Sequence, residues 1–421
     1  MTGLHDARRL SGAALAQALR DSRARTWALV DDLSDAQWQV PERPGVNPVA
    51  WELGHLAWFA EFWVLRGPHT LDANGLAVAH HPPRHAGPDA RFDSSRIAHA
   101  ARWRTPMPSR AELAVMLGAQ LEACLASIPA AIPAAIPAAV TAPIPAAVPE
   151  ANDDAALYFH RLALFHEDMH AEAFTWLRAA LGLPAPALPA TGSALPTMPA
   201  SEPLCVPGGV VQIGSPSAGA GFAFDNEQPA RTLTLADYEI DAAPATAGAF
   251  LRFVEAGGYD APAFWPGAAG AWRAACGLSH PPRWRRDPAA RSQTGWQASW
   301  FGRWLPLAPD APVIHVNAFE AEAYCLWARR RLPSAAEWEH AAPRLHWGAS
   351  VWEWTADAFE PYPGFVPGPY REYSAPWFGD HRELRGGSFA TSARLHDRRY
   401  RNFFEPHRSD VFAGFRTAAR P

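Results

Sequence analysis

Proline placement is what most limits the folds open to this chain. Of 421 residues 42 are proline, and they crowd into two stretches: Ile-Pro-Ala-Ala repeats and further prolines from Ile128 to Pro149, and a Pro/Ala tract from Pro184 to Pro203. Proline lacks an amide hydrogen and its ring clashes with the preceding helical turn, so neither stretch can lie inside a helix or a central strand. The later tract predicts a linker at 184–203, dividing a domain over 1–183 from one over 204–421. The earlier one predicts a semi-extended loop at 128–149 within the first domain. No residue from Ala123 to Pro149 is charged, yet proline at this density cannot sustain a helix across a bilayer.

Helical periodicity fills the first domain. Apolar residues recur at helical spacing over Ser11–Leu33, Pro48–Leu65, Ser109–Ala126 and Asp153–Leu181, which predicts a four-helix bundle. Beyond the linker the pattern changes to short segments punctuated by Gly and Pro, such as Gly208-Gly209-Val210-Val211-Gln212-Ile213-Gly214, with abundant Trp. That texture predicts an irregular α+β domain.

Several chemistries are closed by residue type. All 37 basic residues are arginine, so the chain has neither a phosphate-loop lysine nor a Schiff-base lysine. Forty-two acidic residues give a formal charge of −5, which offers a nucleic acid no general attraction. Cys124, Cys205, Cys276 and Cys325 form no close metal-type pair and no dense disulfide framework. Met1 to Leu10 carries His, Asp and Arg without an apolar core. A cytoplasmic protein with no nucleic-acid or membrane partner is expected.

The chemistry begins at His166-Glu167-Asp168-Met169-His170 in the fourth predicted helix. Histidines at i and i+4 project from one face and can chelate one ion. The string also fits the His-Glu-x-x-His pattern of zinc hydrolases, with Glu167 as general base. The extended protease pattern fails, because Ala173 and Trp176 stand where it requires Gly and His. A third histidine, His55, lies on the second predicted helix among aromatic residues. In a bundle the three could meet at Zn, Fe or Cu, and spacing does not choose among them.

Gly54-His55-Leu56 with the His166/His170 pair resembles the three-histidine iron site of the DinB-like helical domain in ergothioneine-type sulfoxide synthases and selenoneine synthases. The second domain resembles the formylglycine-generating-enzyme (sulfatase-modifying) fold, a C-type-lectin-like architecture. It does so through Val206-Pro207-Gly208-Gly209, Ala318-Phe319-Glu320-Ala321-Glu322-Ala323-Tyr324-Cys325, Arg331-Leu332-Pro333-Ser334-Ala335-Ala336-Glu337-Trp338-Glu339, Val351-Trp352-Glu353-Trp354-Thr355, Arg385-Gly386-Gly387-Ser388-Phe389 and Gly414-Phe415-Arg416. The copper enzyme of that fold uses two late cysteines, and no cysteine follows Cys325 here.

The resemblance implies an Fe(II) cofactor on His55, His166 and His170. It implies an O2-dependent reaction that joins sulfur or selenium to imidazole C2 of hercynine (Nα-trimethylhistidine). Asn402 matches an imidazole-contacting Asn, and Phe403, Phe404 and Trp354 are candidates to face the trimethylammonium group, packing in the core being the other reading. Met169 stands where some members place a substrate-holding Gln. Ser95 and Arg96 stand where one branch carries a Tyr-Tyr pair, which makes Arg96 a substrate candidate. Tyr370 and Tyr373 resemble the branch whose catalytic acid comes from the lectin-like domain, a surface loop being the alternative. These departures and Asp168-Met169 resemble the selenoneine branch, whose donor is a selenosugar, rather than members using γ-glutamylcysteine or cysteine. A non-catalytic metal module and a zinc or nickel thiol transferase stay open.

Overall fold

The computed structural model describes residues 4–129, 153–187, 197–199, 202–217, 219, 221–289 and 292–420. The expected Pro/Ala loop from 130 onward and the linker residues 188–196, 200 and 201 lie outside them. The chain forms two compact units. One comprises residues up to Leu177 with Pro216–Gln228 and Gly364–Pro376; the other comprises Arg178–Ser215, Pro229–Pro363 and Trp377–Pro421.

The first unit is helical: α1 (Gly12–Ala28), a one-turn α2 (Asp35–Trp38), α3 (Val49–Ala60), a one-turn α4 (Asp89–Phe92), α5 (Arg110–Ala126) and α6 (Asp153–Ala180), the last three residues of which fall in the second unit. Strands β1 (His69–Leu71) and β2 (Ala77–Ala79) form a small hairpin. The four expected long helices are present. Helix α1 stops at Ala28, short of the expected Leu33, where Asp31 and Asp32 would place like charge on the negative helix terminus. Its buried residues Leu15, Ala18, Leu19, Ser22 and Thr26 keep one face, and a Ser109/Glu112 capping box starts α5. Helix α3 is buried at eleven of its twelve positions, as a helix apolar on all sides must be. It continues into a π turn over Glu61–Leu65. There the Glu61 carboxylate accepts the amides of Arg84, His85 and Ala86.

The second unit is α+β. Its strands are β3 (Leu204–Val206), β4 (Gly209–Ile213), β5 (Arg231–Leu235), β6 (Tyr238–Ile240), β7 (Trp284–Arg286), β8 (Trp296–Trp300), β9 (Arg303–Pro306), β10 (Trp352–Ala358), β11 (Arg382–Gly386), β12 (Asn402–Phe404) and β13 (Ala413–Phe415). A four-stranded sheet runs β12-β11-β10-β13, with β10 and β13 parallel. A three-stranded sheet runs β7-β8-β9, and β3-β6 and β4-β5 are antiparallel pairs. Helices α7 (Ala247–Glu255), α8 (Ala268–Cys276), α9 (Ala318–Trp327) and α10 (Ala335–Ala341) complete it.

The motifs of this half are structural. Asn317/Glu320 and Ser334/Glu337 are capping boxes for α9 and α10. Glu353 and Arg416 form a fully buried pair that also receives the Trp338 indole N–H. Gly414 is dictated by space, since a Cβ there would lie 2.3 Å from the Val313 carbonyl oxygen.

Candidate metal centre

Helices α3 and α6 bring His55, His166 and His170 together. One ring nitrogen from each lies within 4.8 Å of the others, and His55 Nε2 is 3.3 Å from His166 Nε2. Among the described residues no other group of His, Cys, Asp or Glu makes such a cluster. His55 is held by its own helix and by α4: its ring stacks on Trp51 at 5.0 Å, and its Nδ1 donates to the Phe92 carbonyl at 2.8 Å. Phe92 reaches that place because residue 54 is glycine; a Cβ there would stand 2.1 Å from the Phe92 ring. The His166 ring stacks flat on Phe59, with centroids 3.5 Å apart.

Tautomers follow from the partners. The Phe92 carbonyl can only accept, so His55 carries its proton on Nδ1 and turns the Nε2 lone pair toward the cluster. His170 Nδ1 lies 2.7 Å from a Glu52 carboxylate oxygen, which imposes the same choice. Burial first, and the neighbouring His170 second, hold His55 and His166 well below the ordinary imidazole range, so both are neutral. His166 Nε2 meets the His55 lone pair at hydrogen-bond distance, so either a proton on His166 Nε2 or a cation has to stand between the two nitrogens. A cation suits all three rings, since at metal–nitrogen distances of about 2 Å adjacent ligands stand about 3 Å apart. The donor set therefore fits a metal ion.

Glu52 is the residue that sequence reasoning overlooked. It is 2 % exposed and sits three positions before His55 on the same face of α3. A buried acid one turn from a histidine was the available signal. A carboxylate on the outer nitrogen of a ligating histidine orients the ring and raises its basicity. Glu52→Gln is expected to weaken metal binding about 10–100-fold while the fold persists. Competition with a chromophoric chelator measures this; unchanged affinity would remove Glu52 from the centre.

The hydrolase alternative fails on geometry. Glu167 does not face the histidines: its carboxylate accepts Arg23 Nε at 2.7 Å and Nη2 at 3.1 Å and the Thr26 hydroxyl at 3.1 Å. Asp168 likewise accepts from Ser22. Both acids anchor α6 to α1, so neither stands as a general base at the metal face.

The tyrosine segment 364–376 belongs to the helical unit. The Tyr370 ring meets Phe59 edge-on at 4.9 Å and His166 at 6.1 Å. Burial, then the charges of Glu372 and Asp93, push its phenol above the ordinary value despite a bond with Ser94, so it stays protonated. Tyr373 stands apart from the histidines, stacked on Phe224 at 4.4 Å. Beside Tyr370 lies a small, half-open cleft walled by Trp58, Phe62 and Trp63 and edged by Asp93, Ser94, Ser95 and Glu372.

Arg96, a substrate candidate in the sequence, is ion-paired with Asp72 at 2.9 Å and Asp93 at 3.1 Å. Met169 is half-buried beside His170 on α6. The second unit holds the remaining candidates. Trp354 is fully buried with its indole N–H on the Val316 carbonyl, so it is core and not a cation platform. Asn402 Oδ1 accepts the Phe403 amide, Phe403 stacks on Phe359 at 4.1 Å, and Arg408 lies over Phe404.

Residues 191–350 and 347–421 match the sulfatase-modifying factor enzyme 1-like domain, and residues 18–174 match the DinB superfamily. The chain is 32% identical to the hercynine oxygenase of Mycobacterium tuberculosis, over 96% of this chain and 98% of that one. The chain belongs to the hercynine oxygenase family. A second relative carrying this name, from Mycolicibacterium thermoresistibile, is 31% identical over 96% of this chain and 94% of its own. The formylglycine-generating enzyme of Streptomyces coelicolor is 27% identical over 48% of this chain and 85% of its own. Hercynine oxygenase relatives thus span both halves, and this formylglycine-generating relative only about one. No helix among the described residues is long and apolar enough to cross a membrane.

Proposed function

We propose that the protein is a nonheme Fe(II), O2-dependent synthase that forms a bond from selenium or sulfur to imidazole C2 of hercynine, with a selenosugar as the preferred donor. The observation that carries the reading is the converging ring nitrogens of His55, His166 and His170 beside the protonated Tyr370. An iron(II) on these three neutral ligands would supply dioxygen activation with positions left for substrates. His55 and His170 are pre-oriented for it by the Phe92 carbonyl and Glu52. Tyr370 holds a proton at its Oη, available to a developing negative charge nearby. Phe59, Trp51, Trp58 and Trp63 give the centre an aromatic surround. Asn402, Phe403 and Phe404 are proposed to hold the imidazole and its trimethylammonium group, and Met169 is proposed to stand in the place of a substrate-holding Gln. Four free thiols suit a reducing compartment such as the cytoplasm.

The donor preference rests on the chemistry around the cleft beside Tyr370. Its edge offers Ser94, Ser95 and the carboxylates of Asp93 and Glu372, its walls are aromatic, and the nearby Arg96 is ion-paired with two aspartates. Hydroxyl acceptors on an aromatic floor suit an uncharged sugar better than a dicarboxylate such as γ-glutamylcysteine. One observation favours the sulfur reading: Arg102 stacks on Trp51 and bonds Asn47, and has no carboxylate in an ion pair with it among the described residues. It could receive the carboxylate of cysteine or γ-glutamylcysteine.

Iron-loaded protein incubated in air with hercynine and each donor in turn separates the readings by product mass. The selenosugar is expected to be consumed with a carbon–selenium product. Consumption of γ-glutamylcysteine or cysteine alone overturns the selenium preference. Full activity in zinc-replete, iron-free protein overturns the oxygenase reading.

A further inference from the structure

Two stretches from the C-terminal half of the sequence, Pro216–Gln228 and Gly364–Pro376, are part of the helical unit. Arg8 fixes the first. Its guanidinium makes a buried two-bond pair with Glu227 and donates to the Phe222 carbonyl at 3.1 Å, while the Phe222 amide donates to the Arg8 carbonyl at 2.8 Å. Phe222 in turn stacks on Phe165, the neighbour of His166. The second stretch carries Tyr370. Asp225 joins the two: one of its carboxylate oxygens accepts the Ser374 hydroxyl, and the other accepts the Gly368 amide at 3.1 Å.

Gly368 and Ser374 lie on either side of Tyr370 in sequence, so a single carboxylate fastens the segment before and after the phenol. The fit leaves little slack, because a Cβ at Gly368 would stand 3.2 Å from the Asp225 Cβ. Tyr373 stacked on Phe224 braces the same segment.

We propose that Asp225 is a positioning residue for Tyr370, holding both ends of the tyrosine-bearing segment so that the phenol meets the three-histidine cluster. This rests on the reading of Tyr370 as the proton donor. Asp225 is 8 % exposed, and burial raises its acid to about 6 despite the Ser374 and Gly368 bonds, with the charge of Glu227 adding to the rise. A folded value above the unfolded one means that ionised Asp225 costs the fold stability as pH rises through about 6. An acid that burdens stability at neutral pH while tying down one loop is what a functional clamp requires. Glu227 is ion-paired with Arg8, and Tyr158 lines the cavity beside Asp225.

A double-mutant cycle on the full-length, iron-loaded protein tests the proposal. Asp225→Ala is expected to lower kcat about 10–100-fold, the scale set by misplacing a reacting group by about an ångström. KM for hercynine and iron content stay unchanged. Asp225→Asn recovers most of the rate, because its amide oxygen can accept from Gly368 and its NH2 can donate to Ser374. In a Tyr370→Phe background Asp225→Ala has no further effect, as expected of residues acting through one group. Ser374→Ala, a smaller change, repeats the pattern if Asp225→Ala does not fold. Defects that multiply with Tyr370→Phe, or an unchanged kcat, overturn the positioning role alone. Loss of iron from both Asp225→Ala and Ser374→Ala assigns Asp225 to the fold and overturns it too. A silent Tyr370→Phe overturns the reading of Tyr370 and the proposal with it.

Discussion

His166→Ala protein is expected to bind iron more than about 100-fold more weakly than the parent, beyond the loss caused by removing an outer-sphere partner, and to show no hercynine-dependent oxygen uptake. His166 has little freedom to be replaced. Its ring lies flat on Phe59, its Nε2 faces His55 Nε2 at 3.3 Å, and it is 3 % exposed. Water cannot take its place without entering an aromatic enclosure. Iron quantified after anaerobic purification, with oxygen uptake measured on the same samples, checks the result. Stoichiometric iron in His166→Ala would mean that the metal sits elsewhere.

Tyr370→Phe is expected to retain iron and its KM for hercynine but to lose about 10²–10⁴-fold in kcat, the span of a positioned proton donor. The phenyl ring preserves the edge-on contacts with Phe59 and His166, so the loss isolates the hydroxyl. Tyr373→Phe should leave kcat within about twofold, because its ring braces against Phe224 instead. Steady-state kinetics on both variants separates the tyrosines. Equal, small effects would show that neither phenol donates a proton in the rate-limiting step.

The four long helices and the three histidines are legible in the sequence because both signals are local. A 3.6-residue period marks a buried face wherever the helix ends up, and the i, i+4 pair His166/His170 is fixed by helical geometry alone. His55 is legible only as an imidazole in an aromatic setting too costly to leave unpartnered. The role of Glu167 could not be read the same way. Its neighbours give it the pattern of a catalytic base, and only the packing of α6 on α1 turns its carboxylate to Arg23. Arg96 and Trp354 show the same limit, one absorbed by aspartates and the other by the core.

The sequence by itself determined a helical half with a histidine pair able to chelate a metal, an α+β half, and the absence of lysine-based chemistry, because these depend on residue type and near-neighbour spacing. Tertiary structure alone decided which nitrogen of His55 and of His170 faces the centre, through the Phe92 carbonyl and Glu52. It also decided that Tyr370, some two hundred residues downstream, meets His166 in the helical unit. Contacts at such separation follow from how buried surfaces close on one another, and nothing in local spacing encodes them.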